Sequence, residues 1–223
     1  MIYLSRVRLS RDPQVAALDA LLDPAQGGAR ADAHHRLIWS LFAGDPTAER
    51  DFLWRAEGEG AFIVQSVCPP QTSPLFEPPE IREHAPDLRP GDRLSYLLRA
   101  NATRDLRGEK RNRVDIVMHR LHGLPKADRN ARRLDLAAEA ASEWMAGQGA
   151  RAGFEALRTQ VQHYQTLTLP GHRGKRRGEP RFGILDLTGE IAVTDPKAFL
   201  AKLAQGFGRA KGFGCGLMLI RRA

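Results

Sequence analysis

The chain has 223 residues, with 34 Lys or Arg against 26 Asp or Glu and a formal net charge of +8 at pH 7. That length allows one large domain or two smaller ones, and a hydrophobic content of 42% is enough for packed cores. No run approaches the roughly 20 apolar residues needed to span a bilayer, and the first residues lack the apolar core of a signal peptide. Cys68 and Cys215 form no Cys-x-x-Cys pair, so neither a disulfide framework nor a zinc knuckle is indicated, and a reducing cytoplasm fits. The surplus of positive charge favours a polyanionic partner.

Residues 2–9 alternate Ile, Leu, Val and Leu with polar neighbours, a period of two that predicts a half-buried strand. Asp12-Pro13 breaks it and a Gly- and Ala-rich gap follows. Asp32 is then placed to cap a helix through His35, Leu37, Ile38, Leu41 and Phe42, which ends at Gly44-Asp-Pro46. Phe52–Ala56 and Ala61–Val67, joined across Glu57-Gly-Glu-Gly60, read as a hairpin. Pro69 to Pro79 cannot be regular, and Arg93–Ala100 is again strand-like. The first half therefore reads as a ferredoxin-like unit lacking most of its second helix.

The second half opens on a loop, Arg104 to Arg113, with five basic and two acidic residues, and a strand is expected at Val114–Met118. Leu134–Met145 predicts a helix, Phe154–Leu169 an extended segment, and Pro170 to Pro180 a turn. Phe182–Val193 reads as strands broken near Gly189. Asp195 and Pro196 form an N-cap and N1 pair for a helix, and Leu217–Ile220 closes the chain as a strand. The expected architecture is α+β: tandem ferredoxin-like (βαββαβ), RRM-like domains at 1–102 and 113–223.

Three features carry chemistry. Gly206 to Gly216 holds five glycines with Arg209 and Lys211 among them, so amides at Gly206, Gly208, Gly212 and Gly214 and two cations can face one anion. No Ser or Thr follows the Lys-Gly pair, and the run leads into a strand, so neither a Walker loop nor a dinucleotide fingerprint fits. The hairpin tip carries Arg173, Lys175, Arg176 and Arg177, a phosphate-binding track or else a solvated charge run. It lacks aromatic residues for stacking on unpaired bases, which points to duplex shape. His35, beside Arg36 on the first helix, is either an ordinary helical histidine or a proton-transfer group at a polyanion site. No cluster at metal-ligand spacing and no cofactor motif is present.

Five stretches together resemble the CasE proteins, the CRISPR repeat-processing endoribonucleases of type I-E systems. They are Met1–Val7, His35–Phe42, Arg50–Arg55, Leu98–Asn101 and the run from Gly206 to Leu217. The resemblance implies tandem ferredoxin-like domains and metal-independent cleavage of precursor CRISPR RNA at the base of its repeat stem-loop. It also implies retention of the product within the Cascade complex beside other subunits, in the cytoplasm, with no cofactor and no membrane. By position, it makes His35 the catalytic residue. Arg36, Arg99, Lys211 and the glycine-rich amides would contact RNA, with the 173–177 tip on the repeat stem. Some relatives carry a tyrosine three residues before the histidine; here that position is Asp32.

Overall fold

The computed structural model describes residues 2–44, 49–106, 112–171 and 178–223. The chain divides into two compact units: 1–86 with 167–181 and 211–214, and 87–166 with 182–210 and 215–223.

In the first unit, the alternating stretch forms β1 (Tyr3–Arg8). Asp12 caps a short α1 (Pro13–Ala16) by accepting from the Gln14 amide at 2.8 Å, and α2 (Asp19–Leu22) follows, where a bare gap was expected. The main helix α3 runs Gly27–Ser40, so it begins before Asp32, and Gln26 takes the N-cap position without a side-chain bond. Asp32 lies inside the helix, where its carboxylate holds Arg36 one turn on. The hairpin β2 (Phe52–Gly58) and β3 (Ala61–Ser66) turns through Gly58, Glu59 and Gly60, all at positive φ. No helix separates β3 from β4 (Glu80–Glu83), consistent with the proline-rich stretch between them.

These strands pair in the order β2-β3-β1-β4, the ferredoxin-like arrangement. Leu37 and Ile38 of the helix, with Leu41 just past its end, share a core with Val7, Phe52, Trp54, Phe62 and Val64 of the sheet. Ile38 is fully buried, which is worth about 1.5–3 kcal/mol relative to exposure.

The second unit starts with β5 (Arg93–Ala100), then β6 (Thr103–Leu106) and β7 (Asn112–Asp115), which pair with each other. Where a strand was expected through Met118, α4 (Ile116–His122) begins, because the Asp115 carboxylate caps the Val117 and Met118 amides at 2.9 Å each. Next come α5 (Arg133–Ala152), β8 (Phe154–Thr168), β9 (Arg181–Val193), α6 (Pro196–Gln205) and β10 (Met218–Arg222). Asp195 caps α6 through the Ala198 amide at 3.1 Å with Pro196 in its first turn, as the sequence predicts.

β9 is continuous through Gly189, against the expected break. A Cβ at Gly189 would stand 1.9 Å from the Arg158 carbonyl oxygen of β8, so glycine there serves a close approach of strands. The sheet order is β10-β5-β9-β8, again ferredoxin-like. β5 pairs with β9 and β10, so the strand at 93–100 belongs to the second unit. The division thus differs from the expected one at 100–112.

Candidate nucleic-acid site

α3 presents two adjacent histidines to different surroundings. His34 is buried, its Nε2 lies 3.0 Å from Asp23 Oδ1, and its ring stands edge-on to Phe62 at 4.8 Å. Burial pushes its pKa down, opposed by the Asp23 carboxylate. His34 is a core residue. His35 is half-buried one position on, with Trp39 in T-shaped contact at 6.4 Å.

Against His35 lies the 3-10 turn Lys211–Phe213, which belongs to the same compact unit. The Phe213 ring is 5.3 Å from the imidazole, tilted by 42°. A Cβ on Gly212 would stand 3.3 Å from His35 Cε1 and 3.4 Å from Nδ1, so the bare α-carbon lets the turn close on the ring. The early histidine and the late Lys-Gly-Phe-Gly stretch are therefore neighbours. Arg36 is mostly exposed, and its guanidinium engages Asp32.

The other half of the glycine run is anchored in the second unit. Gly206 ends α6 at φ 77°, and its amide donates to Lys202 O. The Phe207 amide donates to Gly216 O at 2.9 Å, the Arg209 amide to Asn101 O at 3.0 Å, and the Gly216 amide to Arg99 O at 2.7 Å. Gly208 holds φ 70° with its α-carbon against the Asn101 carbonyl, where a Cβ would stand 2.6 Å away. Gly206 and Gly208 thus serve backbone conformation and close packing, and the bonded amides at 206, 207, 209 and 216 face protein. This corrects the expectation that the whole run cradles one anion. The Arg209 side chain is exposed.

Arg99 forms a bidentate pair with Asp186, both bonds 2.8 Å, across the β5–β9 register. The hydrogen bond to Asp186 is the main cause of its raised pKa, and the fork is occupied by a carboxylate. Arg173, Lys175, Arg176 and Arg177 lie outside the described residues. Among the described residues, no three His, Cys, Asp or Glu side chains gather to hold a metal ion, and no helix is long and apolar enough to cross a membrane. Trp54 was not singled out in the sequence, yet its indole N–H donates to Gly212 O at 3.2 Å across 158 residues of chain. No local pattern could have revealed that contact.

The fold matches solved structures over nearly its whole length. CRISPR endoribonuclease Cse3 bound to 19 nt RNA is similar at 23% identity and TM-score 0.66, with 99% of this chain and 100% of that chain covered. Thermus thermophilus Cse3 bound to an RNA representing a pre-cleavage complex is similar at 22% identity and TM-score 0.65, with 99% and 98% covered. A chain of a CRISPR RNA-guided surveillance complex is similar at 20% identity and TM-score 0.62, with 99% and 100% covered. Comparison with curated proteins finds no match. The model of a family described as CRISPR associated protein matches residues 2–222, and the chain belongs to that family.

Proposed function

We propose that this protein is a metal-independent endoribonuclease that binds the stem-loop of precursor CRISPR repeat RNA and cleaves at the base of the stem. It keeps the mature guide RNA and works with other subunits of a Cascade-type complex in the cytoplasm. One observation carries the reading: His35 and the Lys211–Gly214 turn adjoin within one compact unit. The likeness to Cse3 structures whose RNA is described as bound or pre-cleavage supports the substrate class.

In the reaction, the ribose 2′-OH loses its proton and O2′ forms a bond to the adjacent phosphorus. The P–O5′ bond breaks, the departing O5′ takes a proton, and a 2′,3′-cyclic phosphate remains. His35 moves one of these protons, an effect worth roughly 10²–10⁴ in rate. Lys211 and the backbone of its turn offset the charge that builds on phosphorus. The basic 173–177 tip and Arg209 hold the RNA backbone.

A second reading is favoured by Asp32. Its carboxylate stands where some relatives have a tyrosine and engages Arg36, so it removes a phenolic donor and screens one cation. On that reading the protein holds the repeat RNA and cuts it slowly or not at all.

Hairpin repeat RNA incubated with the protein in EDTA separates the possibilities. Cleavage abolished by His35→Ala and by a 2′-deoxy substitution at the cut supports the first reading. Tight binding without cuts supports the second. Cutting only after metal is added overturns the metal-independent mechanism.

A further inference from the structure

Trp54 of β2 is 2% exposed and meets Phe62 at 5.9 Å and His34 at 6.2 Å, both edge-on. A buried indole N–H needs an acceptor, and here the acceptor is the Gly212 carbonyl at 3.2 Å. Two residues further, Gly214 packs against the six-membered ring. A Cβ there would stand 3.0 Å from Cζ3 and 3.1 Å from Cη2, and its φ is +74°. One indole therefore grips the turn on both sides of Phe213, while the same turn meets His35 through Gly212 and Phe213.

We propose that Trp54 is a positioning residue: its N–H locks the Gly212 carbonyl so that the Lys211–Gly214 turn faces the His35 imidazole. This rests on the reading that His35 and the turn act on one phosphate. Filling the core asks only for an aromatic ring, whereas the placement asks for the donor as well. In-line transfer is sensitive to displacements of the order of 1 Å, so losing the bond reaches the rate more than RNA affinity.

Trp54→Phe keeps a ring and removes the donor. A β-(3-benzothienyl)alanine at position 54 removes the donor with ring size kept, which covers the case in which Trp54→Phe fails to fold. Four quantities are compared with wild type. They are single-turnover cleavage of hairpin repeat RNA, Kd for that hairpin with 2′-deoxy at the cut, the thermal midpoint, and the NOE between His35 Hε1 and Gly212 Hα. The expected result is a cleavage rate about tenfold lower with Kd within about twofold, and a weakened NOE in each folded variant. Parallel losses of rate, affinity and thermal midpoint indicate a purely structural role and overturn the proposal. So does a benzothienyl protein with wild-type rate and NOE. If wild-type protein does not cut, the NOE comparison still decides the placement, and only the reaction reading fails.

Discussion

His34 and His35 share a turn of α3, and the helix periodicity sends them to different chemistry. His34 faces the sheet, and burial lowers its pKa from the ordinary value of 6.5 despite Asp23. The folded protein therefore binds this proton less readily than the unfolded chain. The contribution is neutral above pH 6.5, and stability is lost as pH falls below it. A thermal midpoint followed from about pH 7.5 to about pH 5.5 should drop. His34→Gln should lower the midpoint at the upper pH and flatten its pH dependence; an unchanged slope assigns the titration to another group.

The histidine next in the chain and the Lys211–Gly214 turn were singled out in the sequence because their residue types suit a phosphate site, and the structure brings the two side by side. Trp54 was not, because its partner is fixed only by tertiary packing. Arg99 and Asp32 read as a cation and a cap, but folding gives each an oppositely charged partner.

Among elements, the sequence resolved those with strong periodicity and punctuation: β1, the β2–β3 hairpin, α5 and the Asp195-Pro196 start of α6. It missed β4, because Glu80-Ile-Arg-Glu83 is exposed throughout and carries no alternation. α4 was hidden because Val114, Ile116 and Met118 alternate like a strand, while the Asp115 cap that redirects the chain is one side chain.

The start of α3 is fixed by another device. A Cβ at Gly28 would stand 1.8 Å from the Thr168 carbonyl oxygen, whereas at Gly27 it would meet only the flexible Leu167 Cδ2 at 3.2 Å. Helix propensity favours alanine at both sites, so the clash decides the sign. Gly28→Ala should cost about 1–3 kcal/mol and lower the thermal midpoint by about 2–12 °C, with Gly27→Ala near wild type. Equal midpoints for the two variants would show that the helix start and Thr168 separate freely.

At the scale of the molecule, tandem ferredoxin-like topology was legible because each half repeats strand, helix, hairpin and closing strand. The division was not, because β5 looks the same whichever sheet it joins, and pairing alone assigns it to the second. The net charge of +8 predicts RNA binding that weakens steeply with salt. Reversing Arg176 and Arg177 to Glu should weaken hairpin RNA binding and reduce the slope of log Kd against log salt by about one per lost phosphate contact. Unchanged affinity and slope would remove the tip from the interface.

Residues 211–214 belong with the first 86 residues although some 125 positions intervene. A ribosome must therefore deliver the chain through residue 214 before the imidazole of α3 can meet its lysine-bearing turn. Truncated products that stop short of Lys211 carry His35 and the first sheet but lack the turn that packs against that imidazole.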